Sequence, residues 1–135
     1  MAKNESGGFD FASLKAKETT TMCLKNPNTG KDIPGVTFEV YGRDSDVFRS
    51  AKLKLDRARA KKFQGSRRFN VDPADVEQEG LHLLAACIAG WTGVVLNGEE
   101  LPYSRENALK LITEVPEVYE QVDLFVGDRG NFLSS

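Results

Sequence analysis

The stretch that decides the fold is DPADVEQEGLHLLAACIAGW, residues 72–91. It opens on Asp72 and Pro73, a pair typical of the N-cap and first position of a helix. From Leu81 onward the stretch is apolar on nearly all sides, as expected of a helix that lies at the centre of a soluble protein. The sequence therefore predicts a central helix over about 73–89.

Two strands are predicted upstream of this helix. Residues 19–25 are rich in β-branched side chains, and residues 36–41 (VTFEVY) alternate between apolar and polar positions. Residues 26–31 lie between them and are rich in turn formers. The sequence predicts a β-hairpin over 19–43, which must pack on another element because an isolated hairpin is marginal in water.

Helical spacing of apolar residues also recurs on both sides of the central helix. It predicts a helix over about 46–63 and two more over about 105–115 and 116–127. Between them, Asn97 and Gly98 form the strongest short signal for a tight hairpin turn. The predicted fold is α+β: a mostly helical single domain over 18–133, with about four helices, an N-terminal β-hairpin and a short Asn-Gly hairpin turn.

Residues 1–17 are expected to form a flexible N-terminal arm, because Gly7 and Gly8 interrupt any regular element and chain ends fray. The apolar residues Phe9, Phe11 and Leu14 could dock such an arm onto a partner or onto the core.

Charge is distributed unevenly along the chain, although its net value is only −2. Residues 49–68 hold nine basic side chains and one acidic one, whereas residues 69–135 hold three basic and twelve acidic ones. Two explanations remain open. The two segments neutralise each other, within one molecule or between copies, or the basic segment binds an acidic partner or nucleic acid.

Groups that support catalysis are scarce in the sequence. His82 is the only histidine, Glu79 lies one helical turn before it, and no nucleophile motif accompanies it. Cys23 and Cys87 lie in apolar segments, which is typical of small core residues. No Cys or His spacing suits zinc. We therefore expect a non-enzymatic protein with no catalytic residue, no cofactor and no metal.

The sequence favours a cytoplasmic protein. The longest strongly apolar run, residues 81–95, is shorter than the ~20 residues that cross a bilayer. Residues 1–11 carry charges and no apolar core of a secretion signal. Two cysteines 64 positions apart do not suggest a disulfide framework, so a reducing compartment is expected.

The second half of the chain resembles the tail assembly chaperones of long-tailed bacteriophages of the siphophage type. The similarity extends over roughly residues 36–133 and is most specific over 81–133. It is carried by the helix over 81–89, the run WTGVV at 91–95, LNGEELPYS at 96–104, ENALKLI at 106–112, Pro116, Val122, Phe125 and NFL at 131–133.

This resemblance implies a non-enzymatic assembly factor for the phage tail. Such proteins bind the tape measure protein, keep it soluble in the cytoplasm of the infected host and recruit the major tail (tube) protein. They are not found in the mature virion. Many exist as a short form and a form extended by ribosomal frameshifting, and this chain would correspond to the short form.

Six residues are candidates for partner contacts in that role. They are the basic residues of the first helix and the apolar residues near the C-terminus: Arg49, Lys52, Arg59, Phe125, Phe132 and Leu133. The +8 and −9 segments could also drive self-association of the chain, and no membrane partner is expected. The alternatives are a nucleic-acid-binding protein that uses the basic 49–68 helix, which we consider less favoured, and a small structural virion protein for tail completion or head–tail joining.

Overall fold

The computed structural model describes residues 8–64 and 73–133, and side chains within α1 only as far as Lys61. It confirms the α+β fold: within these ranges four helices pack on a small antiparallel sheet. The elements are β1 (Thr19–Lys25), β2 (Asp32–Tyr41), α1 (Asp46–Gln64), α2 (Pro73–Cys87), β3 (Ile88–Thr92), β4 (Val95–Leu96), β5 (Glu99–Glu100), α3 (Arg105–Glu114) and α4 (Pro116–Gly127), with 3-10 helices at Phe11–Leu14 and Arg129–Phe132. The predicted cap at Asp72 and the first seven residues of the arm lie outside the described residues.

The main sheet has three strands in the order β1-β2-β3, all antiparallel. The hairpin of β1 and β2 pairs Thr19 with Tyr41, and β2 pairs Phe38 with Trp91 of β3. The alternation predicted for β2 is confirmed, because Phe38 and Val40 are fully buried against the helices. The hairpin therefore packs on both a third strand and the helical layer. This agrees with the expectation that a hairpin is only marginally stable in isolation.

Cys23 is not the core residue that its apolar neighbours suggested. It is exposed on β1, between the buried Met22 and Leu24. The reason is the two-residue period of a strand, which places Cys23 on the face opposite its neighbours.

The central helix is shorter than predicted. α2 ends at Cys87, and residues 88–92 form β3 instead of a last helical turn. Trp91 shows why: its ring packs on Phe38 at 5.3 Å between centroids, and its Nε1 donates a hydrogen bond to the Leu101 carbonyl at 2.8 Å. A strand and a helix at the centre of a core are both apolar on all sides, so the pattern alone does not separate them.

The Asn-Gly turn is confirmed as the connection between β4 and β5. Asn97 and Gly98 both have positive φ values, 55° and 82°. This is the conformation that a two-residue hairpin turn requires and that these two residue types tolerate.

The C-terminal helices complete the core from the other side. The Ser104 hydroxyl accepts a hydrogen bond from the backbone N–H of Asn107 at 3.0 Å and caps α3, and Pro116 begins α4. The core contributed by these helices consists of Ala108, Leu111, Ile112, Val122 and Val126.

Candidate functional site

The three basic residues predicted to contact a partner lie on one face of α1. At about 100° per residue, Arg49, Lys52 and Arg59 fall within an arc of about 80°. Their surroundings differ. Arg49 forms a long ion pair of 3.7 Å with Asp46 in the first turn, whereas Lys52 forms no ion pair within the described residues.

Arg59 joins α1 to α2. Its Nε lies 2.8 Å and its Nη2 lies 2.9 Å from the two carboxylate oxygens of Glu79, a two-pronged arrangement. The hydrogen bond to Glu79 is the main reason that the pKa of Arg59 is raised above its ordinary value. This pair is one place where the basic and the acidic segments neutralise each other within a single molecule.

Lys52 lies on the rim of a cleft between α1, α2 and α4, which we name the α1–α4 cleft. Its volume is about 310 Å³. Its floor is apolar, and its rim carries two cations and one carboxylate. The lining residues are Arg43, Phe48, Lys52, Gly80, Leu83, Leu84, Tyr119, Asp123, Val126 and Gly127.

Tyr119 supplies a polar group within this cleft. Partial burial, followed by the negative charge of Asp123, raises the pKa of its hydroxyl, which therefore stays protonated at neutral pH and can donate a hydrogen bond. The cleft combines this donor with the apolar side chains of Phe48 and Leu83 and with the charge of Lys52. Such a surface fits one face of an amphipathic helix better than it fits a small polar substrate.

The apolar C-terminal residues do not form one surface. Phe132 is only 1% exposed, and its ring packs edge-to-face on Phe125 at 5.8 Å. An added Cβ at Gly42 would lie 3.0 Å from the same ring, so a glycine is needed there for the ring to approach this closely. Phe132 therefore belongs to the core, which corrects the expectation of a loose apolar end, while its contact with a partner stays a prediction.

Leu133 is half-buried and forms an isolated antiparallel bridge with Ala16. Next to it, the backbone N–H of Lys17 donates to the Phe132 carbonyl at 2.7 Å. The C-terminal residues thus fix the base of the N-terminal arm beside β1.

Phe125 lines a second concave surface, which we name the β1–α4 groove. Its volume is about 490 Å³. It lies between the C-terminal half of β1, the following loop and α4, and is lined by Met22, Cys23, Lys25, Asn26, Pro27, Gly30, Glu117, Gln121, Leu124, Phe125 and Asn131. Leu124 is 76% exposed, the most exposed large apolar side chain of the described residues.

Gln121 closes one end of this groove. Its Oε1 accepts from the backbone N–H of Lys25 at 2.8 Å, and its Nε2 donates to the Lys25 carbonyl at 2.7 Å. The side-chain amide thus makes both hydrogen bonds that a neighbouring strand would make to this residue.

Sequence reasoning missed both concave surfaces as units, although it named Lys52 and Phe125. The period of α4 identifies its buried stripe. It does not show that Leu124 and Tyr119 line concave surfaces, because those surfaces also require the neighbouring strand and helices. His82 is exposed on α2, as a solvated histidine would be. In residues 8–64 and 73–133, no group of three or more His, Cys, Asp or Glu side chains is placed to hold a metal ion. No helix within those same ranges is long and apolar enough to cross a membrane.

One family of proteins, described as the YdaY prophage protein, matches residues 44–124, which is 81 of the 135 residues. The chain belongs to the YdaY prophage protein family. It is therefore a phage-derived protein. No curated protein and no solved structure matches the chain.

The part of this YdaY family protein that matches the family includes α1, α2, α3 and most of α4. It contains seven of the ten residues that line the α1–α4 cleft, all except Arg43, Val126 and Gly127. By contrast, the arm, β1 and the loop after it lie before the matched region. A function shared by the family is therefore more readily sought in the cleft than in the groove.

Proposed function

We propose that this prophage protein is a tail assembly chaperone. It binds the tape measure protein in the cytoplasm of the infected host and recruits tail tube subunits, without catalysing a reaction and without remaining in the mature virion. The observation that carries the proposal is the α1–α4 cleft, with its apolar floor and cationic rim.

Two independent similarities support a role in phage assembly. The resemblance to tail assembly chaperones is most specific over residues 81–133, and the prophage family matches residues 44–124. The two ranges overlap over 81–124, which contains the end of α2, the Asn-Gly hairpin, α3 and most of α4. The shared segment is the one that builds one wall of the cleft.

The chemistry of the cleft suits a long helical client. A chaperone that holds such a client needs apolar contacts and adjustable charge more than a preorganised polar site. Phe48, Leu83 and Leu84 supply apolar contact area, while Lys52 and Arg43 favour a client helix that carries acidic residues beside its apolar stripe.

The test is co-expression with the tape measure protein of the same prophage, followed by a pull-down at low and high salt. We expect co-purification and a larger soluble fraction of the client. The decrease in capture at high salt would measure how much the charged rim contributes to binding of the client, because salt screens exposed charges. An equally insoluble client and no capture at either salt would contradict the proposal.

A matched pair of variants locates the contact. Lys52→Glu reverses a charge on the cleft rim and is expected to reduce capture of the client at low salt. Lys61→Glu reverses the same charge about 180° around α1 and should leave capture unchanged. Arg59 is unsuited to this comparison because its reversal would also break the pair with Glu79. Equal capture by both variants would exclude the rim as the contact.

The same samples separate the alternative functions. Nucleic acid that co-purifies and dissociates steeply with salt would favour the basic face of α1 as a nucleic-acid interface. Recovery of the protein in purified phage particles would instead favour a structural virion protein.

A further inference from the structure

The N-terminal arm presents three large apolar side chains to solvent. Phe9, Phe11 and Leu14 are 63%, 72% and 51% exposed. Phe11 and Leu14 lie on a 3-10 helix that is capped by the Asp10 carboxylate, which accepts a hydrogen bond from the N–H of Ala12 at 2.9 Å. The ring of Phe9 packs edge-to-face on Phe11 at 5.3 Å between centroids. Apolar groups held in one conformation and left in water favour contact with another surface.

The β1–α4 groove is a surface of matching chemistry. Its apolar contact area is provided by Met22, Leu124 and Phe125, and none of residues 8–17 lines it. The charged groups at its rim are Lys25 and Glu117, one of each sign, and residues 8–17 carry one acidic group, Asp10, and two basic groups, Lys15 and Lys17. Neither surface repels the other electrostatically.

Within one chain the arm begins far from the β1 end of its own groove. Its base is fixed at Ala16 by the bridge to Leu133, at the N-terminal end of β1. Cys23, in the groove, lies seven residues further along the strand, about 23 Å away. Phe11 lies five residues before Ala16 and reaches at most about 18 Å from it.

A second copy would bring the β1 end of a groove next to the start of the arm. β1 is an edge strand of the sheet. When two copies meet about a two-fold axis with their β1 edges antiparallel, the N-terminal end of one strand lies beside the C-terminal end of the other. Each arm then begins next to the groove of its partner, and the contact is reciprocal, as in any two-fold interface.

We propose that this protein forms a two-fold dimer by arm exchange, in which Phe9, Phe11 and Leu14 of each copy dock in the β1–α4 groove of the other. The contact does not involve the α1–α4 cleft, so it neither requires nor blocks the proposed client site.

The exposed edge of β1 agrees with this arrangement. The N–H groups of Lys17 and Lys25 both point away from β2, toward Phe132 and Gln121. By strand alternation the backbone groups of Thr19, Thr21 and Cys23 point the same way. In the part of the chain that the structure describes, these three residues have no hydrogen-bond partner on that side.

The first test is the mass of the full chain by light scattering and sedimentation over a range of concentrations. We expect a dimer in equilibrium with monomer. Phe11→Ser in the arm and Leu124→Ser in the groove should each weaken the dimer about 30-fold or more, the size typical of an anchor residue. The matched control is Val95→Ser, since Val95 is 62% exposed on β4, away from both surfaces.

The second test uses the exposed thiol of Cys23 in the groove. Ser13→Cys adds a thiol to the arm, and oxidised glutathione converts two neighbouring thiols to a disulfide while it is reduced to two molecules of glutathione. We expect a covalent dimer on a non-reducing gel. It should disappear when Cys23→Ser is added, and it should form more slowly with Leu124→Ser.

Three outcomes would overturn the proposal. They are a monomer at every concentration, a disulfide that closes within one chain, and a dimer that Phe11→Ser and Leu124→Ser leave unchanged. All of these experiments are done without the tape measure protein, so their failure would not bear on the proposed chaperone function.

Discussion

The first two helices differ sharply in what they bury. α2 places Leu81, Leu84, Ala85, Ala86 and Cys87 in the core, whereas α1 buries none of its side chains between Asp46 and Lys61. α1 contributes only half-buried groups such as Phe48 and Leu55, and its contact with α2 includes the exposed pair of Arg59 and Glu79. The chain thus buries α2 at its centre and leaves α1 as a charged and largely exposed helix.

The largest expected effect on stability comes from truncation of Phe132. We place it in the core, and Phe132→Ala should cost about 3–5 kcal/mol of unfolding free energy, because it removes a fully buried ring. The matched control is Val95→Ala, because Val95 is 62% exposed on β4 and lines neither concave surface, with an expected change within about 0.5 kcal/mol. Denaturant unfolding measures both. Similar losses for the two variants would contradict the assignment of Phe132 to the core.

The reactivity of the two cysteines also distinguishes the core from the surface. Burial raises the pKa of Cys87 from 9.0 to about 12, whereas Cys23 is exposed. At pH 8, and at a protein concentration low enough to keep the chain monomeric, the folded protein should show one rapidly reacting thiol per chain with a disulfide reagent. Cys87 should react far more slowly, because burial raises the pKa of its thiol to about 12 and so lowers its thiolate fraction.

Two controls accompany the thiol measurement. Cys23→Ser should remove the rapid phase, and denaturant should expose both thiols of the natural chain. The pKa of Cys87 is higher in the folded state than in the unfolded state, so its contribution to stability is complete below pH 9 and is lost as the pH rises toward 12. A rapid phase that survives in Cys23→Ser would place Cys87 at the surface.

Two glycines with positive φ compare a close backbone contact with an open turn. Gly93 has φ +75°, and an added Cβ would lie 2.1 Å from the carbonyl oxygen of Gly35. Gly98, in the exposed hairpin turn, has φ +82° and open space around it. Gly93→Ala should therefore cost at least about 2 kcal/mol, and Gly98→Ala about 1 kcal/mol, since only the first adds a clash to the strain. Equal costs by thermal unfolding would show that the close approach of Gly35 relaxes freely.

The smallest effect is expected at the ion pair between α1 and α2. Arg59→Gln removes the charged pair with Glu79, so the amides of α1 should exchange hydrogen faster while the midpoint of global unfolding hardly moves. Hydrogen exchange followed by mass spectrometry measures this. Lys54→Gln is the control, because Lys54 is exposed and forms no ion pair within the described ranges. Faster exchange throughout α2 as well would mean that the two helices open as one unit.

Local signals were sufficient for most of the fold. The period of α4, the Ser104 cap of α3 and the Asn-Gly turn each depend on a few neighbouring residues. They required no knowledge of distant contacts, and the structure bears each of them out.

The features that the sequence could not predict depend on long-range contacts. β3 is a strand because β2 lies beside it, and Phe132 is buried because Gly42 lets its ring approach. The candidate site shares this limit. Lys52 and Phe125 could be named from charge and apolarity, but the two surfaces that they line exist only once α4 packs between β1 and the first two helices.

The amide of Gln121 has a consequence for the solubility of this protein. An open strand edge invites pairing with further chains, and unlimited pairing of that kind produces aggregates. Gln121 occupies the edge at Lys25, and the Phe132 carbonyl occupies it at Lys17. Between these two positions, the outward backbone groups within the described residues belong to Thr19, Thr21 and Cys23, a span of five residues, which limits the length of edge that a further chain can pair with.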